Sequence, residues 1–307
     1  MTTDAVLIAG ASGFIGAALQ THLIERGLPV VSVGAGSSHL DNRTRCAALY
    51  RDFVDTLGNL TVGVVYHLVG SGIPKYPLRD RHRQFWANYR TTSVIAEALR
   101  DTKFKGRIVF ASSGSVYGDT RRRPVGEDHP LNPCTNYGRS KANAEALLIA
   151  RLAGQCELCI ARLFHVFGPG QRKLVVYDIG RRILRNEGPL RVDGTGCELR
   201  DFVFVTDAVK ALVFAGLHLP CSSMPQILNV SSGNGTTVAD LARLLLGLAN
   251  REGSEIIFNP PVEPNPIVGC IGENTKLSTL GMRVPLASSY NFEETLSWIR
   301  SDMLNLS

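Results

Sequence analysis

Three glycines, spaced three residues apart, follow the first apolar run of the chain. The run covers Ala5–Ala9, and the glycines are Gly10, Gly13 and Gly16 at the start of a helical pattern. Glycines at a strand-to-helix turn let backbone N–H groups approach a phosphate at the N-terminus of the helix. An ordinary turn of this kind does not need three glycines at this spacing. The sequence therefore predicts a site for the pyrophosphate of a dinucleotide at this turn.

Short apolar runs alternate with helical patterns through the first half of the chain. A predicted strand over 5–9 is followed by a helix over 14–26, which Gly27 ends. Further strands are predicted at 30–33, 62–68, 107–111 and 157–163, and helices at about 85–99 and 137–152. This alternation predicts an α/β fold of the Rossmann type, built on a doubly wound parallel sheet.

The regular alternation stops after the Gly168-Pro169-Gly170 segment. The remainder is richer in proline and glycine, and it retains helical patterns near 207–217 and 238–249. This pattern predicts a smaller α+β lobe that binds the substrate. We therefore expect a cofactor-binding domain of residues 1–166 plus about 202–230, and a substrate-binding lobe of residues 167–201 plus 231–307.

Composition narrows the class of protein and its compartment. Of the 307 residues, 44% are apolar and 20% are charged, which is typical of a globular protein. No apolar stretch approaches the roughly 20 residues of a membrane span, and the N-terminal residues lack signal-peptide features. The seven cysteines are irregularly spaced, and Cys156 and Cys159 have no second pair to complete a metal site. We expect a reduced, cytoplasmic protein without a metal.

The net charge of +6 is compatible with either nucleic acid or anionic small molecules as partners. The basic runs at 79–83 and Arg121–Arg123 have no interleaved aromatic residues and belong to no DNA-binding motif. We interpret them as solvated surface and do not expect nucleic-acid binding.

The wider pattern resembles the short-chain dehydrogenase/reductase superfamily. The G-x-x-G-x-x-G spacing and the segment Tyr137-Gly-Arg-Ser-Lys141 carry this resemblance. More narrowly, the chain is similar, nearly from end to end, to the extended branch, the NAD-dependent epimerase/dehydratase family of nucleotide-sugar enzymes. The matching segments are Val65–Leu68, Asn88, Ser112–Gly118, Arg162–Gly170, Arg200–Phe202, Asn229–Gly233 and Trp298. The occurrence of these segments in this order is specific for the family, but it says much less about which substrate is bound.

The resemblance implies a catalytic trio of Ser113, Tyr137 and Lys141. Tyr137 and Lys141 are four residues apart on a predicted helix and therefore project from one face. A free phenol titrates near pH ~10, and we expect the ammonium of Lys141 and the positive nicotinamide to lower this pKa. Tyr137 would exchange the substrate's hydroxyl proton while hydride moves to or from the nicotinamide. Ser113 would hydrogen-bond the same oxygen, and Lys141 would also hold the nicotinamide ribose.

The family also implies where an NAD or NADP cofactor binds. An acidic residue at the end of the second strand selects NAD, and this chain has Gly34 there. The serines and arginines that follow can accept a 2′-phosphate, which favours NADP, or can belong to a solvated loop. Asp52 and Phe53 are interpreted as the adenine contact after the third strand. The implied cofactor-binding residues are Gly10, Ser12, Gly13, Phe14, Ile15, Gly16, Ser37, Arg43, Asp52, Phe53, Leu68, Val69, Asn88, Tyr137 and Lys141.

The family implies three substrate-binding residues, Ser115, His165 and Arg200. The planar guanidinium of Arg200 suits two oxygens of the substrate pyrophosphate. His165 stands where the family has asparagine, so it is a phosphate donor, an additional acid or base, or a neutral hydrogen-bonded replacement. A second phosphate-binding arginine usually follows in a proline-rich stretch, and residues 260–266 contain none. The expected partner is a nucleotide-diphosphate sugar, with half of this phosphate clamp missing.

The residues after Ser113 discriminate between reactions. Sugar dehydratases of this family carry an acid between the catalytic serine and tyrosine, where this chain has Gly114 and Ser115. A dehydratase is therefore disfavoured. The serine segment favours a 4-epimerase, which we rank first, whereas Gly34 favours an NADPH-dependent reductase of a nucleotide 4-keto sugar. A third hypothesis, an inactive dinucleotide-binding regulator, is opposed by the intact trio.

Members of the family usually dimerise through two helices, here about 85–99 and 137–152. The second carries small residues that permit close packing, namely Ala142, Ala144, Ala146 and Ala150. We expect a homodimer built on a four-helix bundle.

Overall fold

The structure is a computed structural model that describes residues 4–34, 43–70, 81–120, 124–259 and 269–305. Its strands are β1 (Ala5–Ala9), β2 (Val30–Val33), β3 (Val62–His67), β4 (Arg107–Ser113), β5 (Pro124–Val125), β6 (Glu157–Leu163), β7 (His165–Phe167), β8 (Leu190–Asp193), β9 (Leu199–Arg200), β10 (Phe202–Phe204), β11 (Gln226–Val230), β12 (Thr236–Thr237), β13 (Ile256–Asn259) and β14 (Gly269–Gly272). Its helices are α1 (Phe14–Glu25), α2 (Arg43–Asn59), α3 (Arg81–Asp101), α4 (Asn136–Leu152), α5 (Leu174–Arg185), α6 (Val205–Val213), α7 (Val238–Leu248), α8 (Thr275–Thr279) and α9 (Ser289–Asn305). A 3₁₀ turn, Gly114–Val116, follows β4.

Six of these strands form the central sheet, in the order β11-β6-β4-β3-β1-β2. Every neighbouring pair in this sheet is parallel. The chain passes from β1 to β2 on one side and returns to β3 on the other side of β1, so the winding reverses between β1 and β3. At such a point the carboxyl ends of the strands open a crevice in which ligands bind. The predicted Rossmann-type α/β fold is confirmed.

The central strands are buried on both faces, which explains their continuous apolar sequences. In β1, Val6 and Ile8 point into a core that they share with residues of α1 and α6. Leu7 and Ala9 point into a second core with residues of α2, α3 and α4. Because successive side chains of a strand alternate in direction, one apolar strand packs against two layers of helices.

Smaller sheets are formed mainly by the second half of the chain. The four-stranded sheet has the order β12-β9-β14-β5. Two further sheets have two strands each, β10 with β7 and β13 with β8. β5 comes from the first half of the chain and pairs in parallel with β14. Only Phe164 separates β6 from β7, so the chain runs directly from the central sheet to His165.

A buried ion pair joins α4 to the central sheet. Arg162 of β6 donates to Glu145 of α4 through Nη2 to Oε2 at 2.8 Å and Nε to Oε1 at 3.1 Å. Both side chains are only 3% exposed. Ser112 of β4 donates to the same carboxylate, and Arg162 donates to the Tyr117 hydroxyl at 2.8 Å. These hydrogen bonds compensate the cost of burying the two charges.

We expect the variant Glu145→Leu to lower the free energy of unfolding by about 3–5 kcal/mol, because it leaves the Arg162 guanidinium buried and unpaired. The double variant Glu145→Leu/Arg162→Met removes both charges and should be more stable than the single one. Asp193→Asn, which breaks the exposed pair of Asp193 with Arg182, serves as control and should change stability little. Urea titration followed by circular dichroism measures these differences. Equal losses in the single and double variants would contradict the role of the pair.

Candidate active site

The glycine turn lies between β1 and α1 and is closed by its own backbone. Gly13 N–H donates to Gly10 O at 3.1 Å, and Gly10 has a φ of +95°. A Cβ at Gly16 would lie 2.0 Å from the Gly10 oxygen, and one at Gly10 would lie 2.9 Å from the backbone nitrogen of Val69. The turn therefore packs on the backbone at the carboxyl end of β3 and has no space for a side chain at Gly10 or Gly16.

This cradle fits the pyrophosphate of a dinucleotide. Gly13 precedes α1 as its N-cap and supplies no side-chain hydrogen bond to the helix. Ser12 and Gly13 are exposed at the crevice, and Phe14 and Ile15 are half-buried. The first N–H groups of a helix have no partners within the helix and attract anions. NAD or NADP would therefore be held at its phosphates by the segment Gly10–Gly16.

Ser113, Tyr137 and Lys141 come together between β4 and α4. Lys141 Nζ donates to Ala111 O at 2.7 Å and lies 6.0 Å from the centroid of the Tyr137 ring. Ser115 donates to Ser113 Oγ twice, from its N–H at 3.2 Å and from its hydroxyl at 3.0 Å. Ser113 itself hydrogen-bonds the Tyr137 phenol. A hydroxyl has one proton, so Ser113 accepts from Ser115 and donates to Tyr137.

The protonation of the trio differs in one respect from the prediction. Burial raises the pKa of Tyr137 to about 12, and the hydrogen bond from Ser113 opposes this shift. Burial lowers the pKa of Lys141 to about 8, and the carboxylate of Glu145 opposes that shift. The expected lowering of the tyrosine pKa by Lys141 is therefore wrong, and the lowering by the positive nicotinamide stays a prediction. Desolvation of the phenol dominates, and Lys141, whose ammonium lies 6.0 Å from the ring centroid and donates to a backbone carbonyl, is not among the groups that shift this pKa.

The predicted cofactor residues Leu68, Val69 and Asn88 border the same crevice. Leu68 directly follows β3, and its N–H donates to Ala9 O at 2.9 Å, next to the glycine turn. A Cβ at Gly70 would lie 3.1 Å from Lys141 Nζ and 3.4 Å from Asn88 Oδ1. The crevice therefore runs from the glycine turn, past the end of β3, to Lys141.

A hydrogen-bonded chain that the sequence did not reveal supports this crevice. Asn88 Nδ2 donates to Ser140 Oγ at 3.0 Å, and Ser140 Oγ donates to the Tyr137 carbonyl at 2.7 Å. Thr92 Oγ1 donates to Asn88 O at 3.0 Å and lies 2.9 Å from His67 Nε2. Because the threonine's one proton is committed to Asn88, His67 Nε2 carries a hydrogen and donates. The chain links β3, α3 and the first turn of α4.

His165 is a neutral imidazole near Arg200. Its backbone N–H donates to Asp201 O at 2.9 Å, in the pairing of β7 with β10. Burial and the Arg200 guanidinium lower the pKa of His165 to about 3. Of the three predicted roles, this protonation state favours a neutral hydrogen-bonding group, because an imidazolium would repel the arginine. Burial also lowers the pKa of Arg200.

Asp201 is a buried organising residue that sequence reasoning did not single out. It is fully buried, and its Oδ1 accepts from Ser232 N at 2.8 Å and Ser232 Oγ at 2.7 Å. Its Oδ2 accepts from the N–H groups of Gly233 and Gly272, both at 3.2 Å. Burial raises the pKa of Asp201 to about 6, against these hydrogen bonds. The residue ties the Arg200 strand to β14 and to the loop after β11. The position of Asp201 directly after the predicted substrate residue Arg200 was the one sequence feature that could have pointed to it.

The interpretation of Asp52 and Phe53 was wrong about their place in the fold. Both lie inside α2, before β3, and do not follow a strand. Phe53 is fully buried in the core with Leu7 and Val65, so its ring packs against the sheet, while Asp52 is exposed. From the sequence alone, an aromatic residue that packs a helix against the sheet cannot be distinguished from one that contacts a cofactor.

Several predicted positions lie outside the described residues. These are Ser37, the side chain of Arg43, which begins α2, and the stretch 260–266 with its missing arginine. Across the ranges that are described, no group of three or more His, Cys, Asp or Glu side chains could hold a metal ion. In the same ranges, no helix is both long enough and apolar enough to cross a membrane.

The neutral, buried His67 predicts an acid-sensitive fold. Its pKa is lowered from 6.5 to about 3 by burial and by Lys141. Below pH 6.5 the unfolded chain binds a proton that the folded chain refuses until about pH 3, so acid favours unfolding in this window. The variant His67→Leu should reduce the slope of the unfolding free energy against pH by up to about 1.4 kcal/mol per pH unit.

Thr92→Val is the matched control for this prediction, because it removes the hydrogen-bond partner and keeps the titrating ring. It should retain the wild-type slope. Urea titrations at a series of pH values measure both, and a slope in His67→Leu equal to that of the control would contradict the prediction.

Comparisons with known proteins agree with this geometry. A family model described as the NAD dependent epimerase/dehydratase family matches residues 6–231. A putative UDP-glucose 4-epimerase of Methanocaldococcus jannaschii is 27% identical over 97% of this chain and 99% of its own. A dTDP-4-dehydro-6-deoxyglucose reductase of Escherichia coli is 25% identical over 97% and 98% of the two chains.

Solved structures give the same result. The structure of MoeE5 in complex with UDP-glucose and NAD is 26% identical, with a TM-score of 0.83 over 97% of this chain and 99% of that one. Other similar proteins include a UDP-glucuronic acid decarboxylase and an NDP-hexosamine 5,6-dehydratase. The similarities thus span several reactions on nucleotide sugars. The chain belongs to the NAD-dependent epimerase/dehydratase family.

Proposed function

We propose that the protein is a nucleotide-sugar 4-epimerase that uses NAD or NADP. The carrying observation is a proton-transfer site with one exchangeable phenol, Tyr137, on which no carboxylic acid of the described residues acts. Ser115, which occupies a position where an eliminating enzyme has an acid, donates both its hydrogen bonds to Ser113. The nearby carboxylate of Glu145 is committed to Arg162 and Ser112. Such a site supports reversible exchange of one hydroxyl proton rather than loss of water.

The chain's own residues divide the work at the sugar. As a phenolate, which the positive charge of bound nicotinamide would favour, the Tyr137 oxygen would take the proton of the C4 hydroxyl and later return it. Ser113 orients that oxygen, because its own proton is directed there by the two hydrogen bonds from Ser115. Lys141 would hold the nicotinamide ribose, since its Nζ lies at the crevice between Gly70 and Asn88. The nicotinamide supplies the acceptor and donor of hydride when it is bound.

The diphosphate of the substrate would bind at Arg200 and His165. The Arg200 guanidinium supplies a positive charge for the phosphates. The neutral His165 ring supplies a hydrogen-bonding group that does not repel this guanidinium. The similarity to a putative UDP-glucose 4-epimerase and to a structure that holds UDP-glucose supports a UDP-sugar as first choice.

A reductase of nucleotide 4-keto sugars is the second candidate, and Gly34 favours it. This residue follows β2 with a φ of +68°, a conformation that suits glycine and leaves no carboxylate to hold a ribose 2′-hydroxyl. NADPH would be accepted there. The similarity to a dTDP-4-dehydro-6-deoxyglucose reductase supports the same direction.

An assay with two arms tests the proposal. The purified protein is given NAD with UDP-glucose or UDP-galactose, and separately NADPH with dTDP-4-dehydro-6-deoxyglucose. We expect proton NMR to show interconversion of the two UDP-sugars without net consumption of cofactor. Consumption of NADPH in the second arm alone would replace the epimerase by the reductase, and inactivity in both arms would remove both candidates.

The variant Tyr137→Phe should lower the turnover found in this assay by about 10²–10⁴-fold, because the ring remains and the exchanged proton is lost. Its affinity for NAD, measured by calorimetric titration, should stay close to wild type. Tyr290→Phe, which alters a tyrosine that is 68% exposed, is the matched control and should leave turnover unchanged. Undiminished turnover in Tyr137→Phe would exclude the mechanism.

A further inference from the structure

An ion pair ties the loop before α5 to the C-terminal helix. Arg172 donates to Asp302 of α9 through Nε, at 3.0 Å to Oδ1 and 3.2 Å to Oδ2, and through Nη2 at 2.7 Å to Oδ1. The Tyr177 hydroxyl donates to Oδ2 at 3.1 Å. Asp302 is only 4% exposed, so its carboxylate depends on these donors. We call this contact the Arg172–Asp302 tether.

The loop held by the tether, residues 168–174, spans both ends of the candidate site. At its start, a Cβ on Gly170 would lie 3.4 Å from the ring of Phe14, the first residue of α1. At its end, Lys173 and Leu174 line a small cavity with His165. The loop therefore reaches from the glycine turn to the predicted diphosphate contact.

The backbone of this loop needs support from outside. Gly168 and Gly170 have φ values of +143° and +94°, and Leu174 has a φ of +70°. A leucine adopts the left-handed region only where its surroundings hold it there. Of the hydrogen bonds described for this loop, those from side chains to another element come from Arg172 alone. The tether is thus the polar contact that holds the loop to the rest of the protein.

We propose that Asp302 is a positioning residue for the nucleotide end of the substrate. Acting through Arg172, it fixes residues 168–174 and with them the cavity beside His165. The ligand, a nucleoside diphosphate held at His165 and Arg200, is taken from the proposed function, on which the inference rests; the small apolar cavity marks where the loop meets His165 and does not itself hold the ligand. The C-terminal helix thereby takes part in substrate affinity although it lies far along the chain from the trio.

Calorimetric titration of the full chain with UDP, dTDP, GDP and NAD tests the proposal. The variants are Asp302→Asn, Arg172→Leu and the double variant. We expect each single variant to bind the preferred nucleoside diphosphate at least about tenfold more weakly, and the double variant to bind no more weakly than either. NAD affinity should stay within about twofold, because the glycine turn closes on itself. In the sugar assay, KM should rise and kcat should hold.

Two further variants separate positioning from general damage. Arg172→Lys keeps the charge without the paired donors and should bind with intermediate affinity. Asp240→Asn breaks an exposed pair with Arg243 on α7 and should behave as wild type. Variants that bind nucleoside diphosphates as tightly as wild type would overturn the proposal, as would an equal loss of NAD affinity.

The same titrations distinguish failure of the inference from failure of the proposed function. A wild-type protein that binds a nucleoside diphosphate but turns over no sugar, with weakened variants, would support the tether and reject the epimerase and the reductase. A wild-type protein that binds none of the three diphosphates would overturn both.

Discussion

The candidate active site depends on the buried contact between Glu145 and Arg162. Glu145 lies one helical turn after Lys141 and two after Tyr137, so all three project from one face of α4. The carboxylate also accepts from Ser112, the residue before Ser113 on β4. One side chain therefore sets the position of α4 against the strand that carries the serine. The depth at which the phenol and the ammonium enter the crevice follows from this contact.

The same burial determines how the trio responds to its ligands. Low polarity disfavours charge on both the phenol and the amine, which raises one pKa to about 12 and lowers the other to about 8. In such surroundings a single charge or hydrogen bond acts more strongly than in water. Two protein groups oppose these shifts. The hydrogen bond from Ser113 lowers the pKa of Tyr137, and the carboxylate of Glu145 raises the pKa of Lys141. Both groups are held by neighbours rather than by solvent.

The fold and the trio could be predicted because each depends on local patterns. The strands at 30–33 and 157–163 have their predicted bounds, and the glycine turn and the Tyr137–Lys141 spacing are contained within a few residues. Phe53 shows where such patterns mislead, since an apolar residue in a helix says nothing about which surface it meets. The Asn88–Ser140 bond joins positions 52 residues apart, and Asp201 binds Ser232 across 31 residues. No local pattern encodes these contacts, nor the desolvation that raises the pKa of Tyr137.

Under the proposed function, epimerisation and reduction would use the same proton exchange at Tyr137, so the choice between them would be made elsewhere in the molecule. An epimerase would hold the nucleotide while the sugar turns its other face to the nicotinamide, which would require tight binding at the proposed diphosphate contacts, His165 and Arg200. A reductase would instead exchange its cofactor in every cycle, and under the proposed function Gly34 at the end of β2 would decide which dinucleotide it takes up. Under the proposed function, the end of β2 and the loop at 168–174 would therefore be the two places where selectivity arises. Substitutions there would change which ligand is bound and how long it stays, while the geometry of the trio remains the same.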